Sequence, residues 1–133
     1  MKCVVRDGDR VLFVRHTYGD RGAWELPGGG RRSSEPPAVA IRREMREELG
    51  IELVELRELG QVEVAGSHKR TLMDCFEART GGAILRLADA ELAEARWAPL
   101  DAPPLPLGPD AAAVLGLVAR GGEQEDPAHG PRL

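Results

Sequence analysis

Apolar positions over the first sixteen residues form two short runs, which is the pattern of a β-hairpin. The runs cover residues 2–6 and 11–15 and flank Asp7-Gly8-Asp9-Arg10. Asp-Gly is a strong signal for a tight hairpin turn. The second run contains VLFV without a polar break, as expected for a strand that is covered on both faces.

The clearest helical pattern covers residues 35–49. Ser34 is a candidate N-cap, Pro36 falls in the first turn, and Gly50 follows the last residue, and these residue types favour helix starts and ends. At 100° per residue, the apolar positions form one narrow stripe that is predicted to face the core. The stripe consists of Ala38, Ile41, Met45 and Leu49.

The segments around this helix have strand or mixed character. WEL at 24–26 has the composition of a short strand, and QVEV at 61–64 and TLMDCFEA at 71–78 are predicted strands. LVELREL at 53–59 fits either a helix or a strand, because its leucines recur every third residue.

The C-terminal part combines a proline-rich connection with a final helix. Residues 101–109 hold too many prolines for a regular element, so they predict a surface connection. Residues 110–120 suit a helix, and residues 121–133 are predicted to form a flexible tail. A chain of 133 residues without internal repeats is expected to fold as a single domain, here over residues 1–120.

Composition narrows the classes of function. Apolar residues make up 42% of the chain and charged residues 30%, which is typical of a soluble globular protein. The net charge of −4 supplies no basic field for nucleic acid, so a polyanionic ligand would need a few arginines or metal ions. Cys3 and Cys75 match no CxxC spacing and are expected to be reduced and half-buried. The N-terminal segment has no uninterrupted apolar core of the kind found in signal peptides, and no run approaches the length of a membrane span, so the predicted location is cytoplasmic.

Three glutamates, Glu44, Glu47 and Glu48, share an arc of roughly 100° beside the apolar stripe. Like charges at these spacings cost a few tenths of a kcal/mol per pair. One interpretation is a solvated acidic face, balanced by neighbouring arginines. The other is a site for Mg²⁺ or Mn²⁺, since carboxylates and a backbone carbonyl supply the all-oxygen ligand set that these ions select. The flexible run Gly28-Gly29-Gly30 directly before the helix favours the metal site.

The segment from Gly29 to Ile51 resembles the Nudix box, GX5EX7REUXEEXGU, at every defined position. WELPGG at 24–29 and ELAEARW at 91–97 resemble the segments that usually flank the box in this family. The resemblance implies an α/β/α sandwich with a mixed β-sheet, in which the box forms a loop–helix–loop. It also implies a hydrolase that cleaves a phosphoanhydride bond, commonly in a nucleoside diphosphate linked to another moiety.

The same resemblance implies roles for individual residues. The metal ligands would be the carboxylates of Glu44, Glu47 and Glu48 with the carbonyl of Gly28. Arg43 would orient the carboxylates, and Glu35 would hold the loop and the helix together. Glu91 matches a downstream glutamate that is a further ligand or base in some members, although an ordinary loop carboxylate fits as well. The catalytic residues implied are Arg43, Glu44, Glu47 and Glu91, and the general base stays open among the three glutamates.

Two loop positions depart from the common pattern of the family. Arg32 stands where the loop often carries Glu, and Ser34 replaces a frequent glycine. Both are unconstrained positions of the box, so neither argues against catalysis. Arg31 and Arg32 would face either substrate phosphates or solvent.

The substrate stays open, because the markers of three specialised subgroups are missing. The chain has no asparagine, no proline between Pro37 and Pro99, and one tyrosine, Tyr18, upstream of the box. We therefore expect a small nucleotide or related diphosphate as partner, with little selectivity among bases. Trp24 would be either a base contact or a core-edge anchor. No membrane or nucleic acid polymer is expected to bind, and a homodimer is one option for the assembly.

Two other classes of protein share features with this sequence. Non-catalytic Nudix-fold modules that sense nucleotides typically lose carboxylates of the box, whereas this chain keeps all three glutamates of the metal-binding arc. A family-related isomerase would need a catalytic cysteine and longer insertions. The hydrolase is therefore the favoured hypothesis.

Overall fold

The structure is a computed structural model that describes residues 1–16, 22–65, 70–80 and 92–129. Five strands and two helices lie within these ranges. The strands are β1 (Lys2–Asp7), β2 (Arg10–His16), β3 (Leu53–Ala65), β4 (Arg70–Thr80) and β5 (Leu92–Pro99). The helices are α1 (Pro37–Leu49) and α2 (Pro109–His129).

The strands form one mixed sheet in the order β3-β4-β1-β2-β5. β1 runs parallel to β4, and the other neighbouring strands are antiparallel. The predicted hairpin is confirmed: Asp7 pairs with Arg10, which leaves Gly8 and Asp9 as a two-residue loop. Gly8 has φ 66°, and positive φ is what the tight turns of two-residue hairpins require.

Each face of the sheet is covered by one helix, which confirms the α/β/α sandwich with a mixed sheet. The four side chains of VLFV in β2 are fully buried, and they alternate between two apolar clusters. Leu12 and Val14 pack in the cluster that contains the buried residues of α1. Val11 and Phe13 pack in the cluster that contains Ala111 and other residues of α2.

α1 begins later than predicted and has a different N-cap. Pro36 is the N-cap, without a side-chain cap bond, because Ser34 lies in the left-handed region at φ 68° and is part of the preceding loop. The buried positions are Ala40, Ile41, Met45 and Leu49, whereas Ala38 is exposed in the first turn. The helix ends as predicted at Gly50, which adopts φ 68° and ψ 26°.

β3 resolves the ambiguity of LVELREL, because the segment continues into QVEV as one strand of thirteen residues. The pairing with β4 shifts register between Val54 and Arg57 and again between Glu58 and Gly60. Such bulges let two residues of one strand face one residue of the other. They break the strict two-residue alternation, so the strand was not recognisable from periodicity alone.

Three further expectations differ from the structure. α2 continues to His129 instead of ending at residue 120, while the flexibility of residues 121–133 stays a prediction. WEL forms isolated bridges, Val14 with Glu25 and Trp24 with Leu107, rather than a strand. Cys3 and Cys75 are free, as predicted, but fully buried, and burial raises the pKa of both thiols. Among the described residues, neither helix has the length and apolar character needed to cross a bilayer.

Ser34, in the loop before α1, and Gly50, at the end of α1, both have left-handed backbone conformations. Substitutions at these two positions are predicted to have opposite effects on stability. A non-glycine side chain in the left-handed region destabilises the folded state by about 1–2 kcal/mol. Glycine avoids this strain, but it also raises the conformational entropy of the unfolded chain, which offsets about 0.4–1 kcal/mol of the gain. We expect Ser34→Gly to raise the free energy of unfolding by roughly 0.5 kcal/mol and Gly50→Ala to lower it by about 1 kcal/mol. Urea unfolding midpoints measure both, and a destabilised Ser34→Gly variant would contradict the assignment of strain to Ser34.

Candidate active site

The glycine loop is anchored to the start of β1. The amide of Cys3 donates to the carbonyl of Pro27 at 2.9 Å, and the amide of Gly29 donates to the carbonyl of Met1 at 3.2 Å. Gly28 forms an isolated bridge with Lys2, and a Cβ at Gly28 would collide with the carbonyl of Met1. The loop is therefore held at one end of the sheet by its own backbone.

Glu44 lies directly against this loop. A Cβ built at Gly29 would collide with Oε2 of Glu44, whereas a Cβ at Gly30 would have no neighbour within 4 Å. The side chain of Glu44 is only 15% exposed. Gly29 is thus the glycine that makes room for the carboxylate, and the role of the Gly28 carbonyl as a metal ligand stays a prediction. The spacing of the box does not encode the path of the loop, so the contact could not be read from the sequence.

Arg43 connects the loop to the helix through five hydrogen bonds. Two go to Glu35, from Nε to Oε2 and from Nη2 to Oε1, both at 2.8 Å. Nη1 donates to Oε1 of Glu44 at 2.8 Å and to Oε1 of Glu47 at 3.1 Å. Nη2 also donates to the carbonyl of Gly30 at 3.2 Å. A guanidinium has five N–H donors in a rigid fork, so this contact set matches its full capacity.

Glu35 stays charged over a wide pH range. The hydrogen bonds from the Arg43 side chain, together with one from the Arg32 amide at 2.9 Å, lower the pKa of Glu35 from 4.5 to about 2. The same pairing raises the pKa of Arg43 above its ordinary value. Both side chains are nearly covered, at 12% and 13% exposed, so the ion pair is a fixed part of the site.

The acidic face of α1 is less enclosed beyond Glu44. Glu47 is 52% exposed, and its Oε2 lies 3.7 Å from Nη2 of Arg32. Glu48 is half-buried, one helical turn after Glu44. The structure thus brings Arg43, Glu44 and Glu47 into direct contact, and their catalytic roles stay predictions.

The predicted metal ligands do not form a closed cluster. Within the ranges that the structure describes, no three His, Cys, Asp or Glu side chains are arranged to hold a metal ion. Glu44 and Glu47 each direct one oxygen to Arg43. The donor chemistry still fits a hard divalent cation, because carboxylate oxygens lie beside a glycine loop that admits close approach. Glu91 lies outside the described residues.

Trp24 is part of the core rather than of an open site. It is 3% exposed, and the guanidinium carbons of Arg15 and Arg96 each lie 4.8 Å from its ring centroid. Cation–π contacts of this kind stabilise a buried aromatic ring. Its burial supports the role of anchor. Tyr18, the one tyrosine of the chain, falls outside the described residues.

Comparison with known proteins gives consistent matches. The NUDIX domain family matches residues 1–117. The human 8-oxo-dGDP phosphatase NUDT18 is 34% identical over 129 residues, which cover 94% of this chain and 38% of that protein. The RNA pyrophosphohydrolase of Hydrogenovibrio crunogenus is 36% identical over 58 residues, covering 44% of this chain and 34% of that protein. The chain thus spans little more than a third of either relative. A MutT Nudix hydrolase from Burkholderia pseudomallei superimposes with a TM-score of 0.81 at 26% identity, over 88% of this chain and 94% of that one.

The pairing of Glu35 predicts a pH-dependent contribution to stability. Because the folded pKa of Glu35 is depressed to about 2 from 4.5, the stabilisation is complete above 4.5 and is lost as the pH falls toward 2. Glu35→Gln should therefore lower the urea midpoint at pH 7, and the difference from wild type should shrink at pH 3. A difference that stayed constant between the two pH values would show that the charge of Glu35 is not responsible.

The contact between Gly29 and Glu44 predicts a large effect from one methyl group. Gly29→Ala should displace the Glu44 carboxylate and lower hydrolytic turnover by roughly ten- to a hundredfold, since a shift of about 1 Å in a catalytic group can cost about that much. Gly30→Ala is the matched control, because its Cβ meets no atom within 4 Å and the carbonyl that Arg43 contacts is retained. Equal turnover of the two variants would contradict a catalytic role for Glu44 in its observed position.

Proposed function

The chain belongs to the Nudix hydrolase family, and we propose that it is a divalent-metal-dependent pyrophosphohydrolase. Its substrate would be a nucleoside diphosphate linked to another moiety, such as a nucleoside triphosphate, cleaved at a phosphoanhydride bond. The observation that carries the proposal is the Arg43 network, which fixes Glu44 and Glu47 side by side next to Gly29. Paired carboxylates held by one buried cation provide both ligands and a base.

The metal would be Mg²⁺ or Mn²⁺, held by Glu44, Glu47 and Glu48 with a carbonyl of the glycine loop. A bound ion would neutralise the phosphate oxygens and lower the pKa of a coordinated water. Arg43 keeps the carboxylates of Glu44 and Glu47 in a fixed relation through its rigid guanidinium. The residue that removes the proton from the attacking water must lie within hydrogen-bond distance of it, and Glu44, Glu47 and Glu91 remain the candidates.

The relatives support a nucleotide substrate without fixing which one. The human protein is named for 8-oxo-dGDP and the bacterial protein for RNA. 8-oxo-dGDP contains a phosphoanhydride bond, as does an RNA whose 5′ end carries a di- or triphosphate. We propose a small nucleotide as the substrate of this chain in the cytoplasm. The missing subgroup markers favour recognition of the phosphates, which all these compounds share, over recognition of one base.

The proposal is tested by release of phosphate or pyrophosphate from a panel of nucleoside di- and triphosphates, 8-oxo-dGDP and a 5′-triphosphorylated RNA, with and without Mg²⁺. Glu47→Gln and Glu48→Gln should each lower turnover by about two orders of magnitude or more, as is common when an essential polar group is removed. In the absence of Mg²⁺, the melting temperatures of both variants should equal or slightly exceed that of the wild type, because like-charge repulsion on the helix is reduced.

Glu52→Gln is the matched control, since Glu52 is an exposed glutamate whose carboxylate lies 3.8 Å from Arg46. It should keep wild-type turnover. Wild-type protein should also melt at a higher temperature when Mg²⁺ is added with nucleotide, because the folded state alone binds them well. Near wild-type turnover in Glu47→Gln or Glu48→Gln, or hydrolysis that is independent of divalent ions, would refute the proposal.

A further inference from the structure

We propose that Arg32 is a phosphate-binding residue that sets the affinity of this site for its substrate. The inference rests on the proposed function and concerns a residue of this chain that lies at an unconstrained position of the box. Arg32 is the cation whose side chain reaches from the loop to the exposed oxygen of Glu47.

The backbone of Arg32 is fixed relative to the catalytic helix. Its amide donates to Oε1 of Glu35 at 2.9 Å, and its carbonyl accepts from the amide of Glu35 at 3.0 Å. Glu35 is in turn held by Arg43 through two hydrogen bonds of 2.8 Å. The starting point of the Arg32 side chain is therefore tied to the same network that positions Glu44 and Glu47.

The side chain of Arg32, by contrast, is loosely held. It is 68% exposed, and its Nη2 lies 3.7 Å from Oε2 of Glu47, which is 52% exposed. This distance is beyond hydrogen-bond range, and exposed ion pairs contribute little to stability. Arg43 shows the opposite arrangement, with 13% exposure and a bond of 3.1 Å to the other oxygen of the same carboxylate. Arg32 can thus leave Glu47 at small cost.

A substrate phosphate is a better partner for Arg32 than Glu47. Glu47 already accepts from Arg43, and a divalent cation on Glu47 would compete with Arg32 for Oε2 and repel it. A phosphate group that shares this cation would lie within the same small space. It offers several charged oxygens, which a guanidinium binds in a bidentate manner. The expected partner is therefore the terminal phosphate of a nucleoside di- or triphosphate.

Substitutions of Arg32 should change KM more than kcat. We expect Arg32→Gln to raise KM for the best substrate of the panel about tenfold or more, which is the range expected for loss of a charge-assisted hydrogen bond. The kcat should stay within about threefold, since the carboxylates and Arg43 remain in place. Arg32→Lys should retain part of the affinity as a point charge. Arg32→Glu should raise KM further than Arg32→Gln, because it repels the phosphate.

Arg46→Gln is the matched control. Arg46 is also an exposed arginine of the box, at 51%, and its Nε lies 3.8 Å from the Glu52 carboxylate. Its KM should be that of the wild type. Calorimetry with a non-hydrolysable nucleotide and Mg²⁺ measures the affinity without turnover. The dissociation constant of Arg32→Gln should increase by the same factor as its KM.

A second measurement separates phosphate binding from a merely structural role. If Arg32 only holds Glu47 in place, Arg32→Gln should lower kcat, leave KM unchanged and weaken the stabilisation by Mg²⁺ in the absence of nucleotide. If Arg32 binds phosphate, the melting-temperature shift caused by Mg²⁺ alone should be retained or larger, because a competing cation has been removed. A KM within twofold of wild type would also overturn the inference.

The two proposals fail in different ways. Inactive Glu47→Gln and Glu48→Gln variants together with an unchanged Arg32→Gln variant would refute the role of Arg32 alone. Active Glu47→Gln and Glu48→Gln variants would refute the proposed metal site itself. Folding of each variant is checked by its melting curve. If Arg32→Gln folds poorly, Arg32→Lys provides the test instead, because it keeps the positive charge but not the guanidinium.

Discussion

The candidate site depends on the hydrogen bonds made by the guanidinium group of Arg43. It joins three carboxylates and a loop carbonyl through five hydrogen bonds. Lysine could not replace it, because an ammonium group has three donors on a flexible stem instead of five in a planar fork. The loop and the helix therefore form one unit whose geometry is set by a single side chain. The low pKa of Glu35 has the same cause, because the hydrogen bonds from Arg43 stabilise the ionised carboxylate.

Packing against the sheet fixes the orientation of α1 and the position of the glycine loop. Ile41, Met45 and Leu49 of α1 are fully buried against strand residues such as Leu12 and Phe76, and this contact fixes the rotation of the helix about its axis. The acidic arc follows from that rotation, because Glu44 and Glu47 occupy the neighbouring sector of the helix. The glycine loop is fixed separately, by backbone hydrogen bonds of Pro27 to Cys3 in β1 and of Gly29 to Met1, which precedes β1. Arg43 thus links two elements that the sheet has already placed.

Features set by local sequence were predictable, and features set by contacts across the sheet were not. The hairpin, the end of α1 at Gly50 and the acidic arc follow from turn chemistry and helical periodicity. Buried Glu77 is an example of the second kind: it accepts from Arg6 at 2.5 Å and from Arg57 at 2.5 and 2.9 Å. Burial raises the pKa of Glu77, but the two arginines more than compensate, and the net shift is downward. This triad requires the register of β1, β4 and a bulged β3, which no local pattern specifies. The approach of Gly29 to Glu44 has the same origin.

Burial divides the arginines of this acidic chain into two kinds. Arg43 is enclosed among its partners, and removing it would leave Glu35 and Glu44, at 12% and 15% exposure, without their counter-charge, which is costly for covered carboxylates. Arg32 has 68% of its side chain in solvent and loses little on changing partners. The proposed phosphate site would need both kinds, since the positions of its carboxylates would have to persist while contacts to the substrate form and break. In a chain of net charge −4, such locally placed cations would allow a polyanionic substrate, as proposed, to approach the three glutamates.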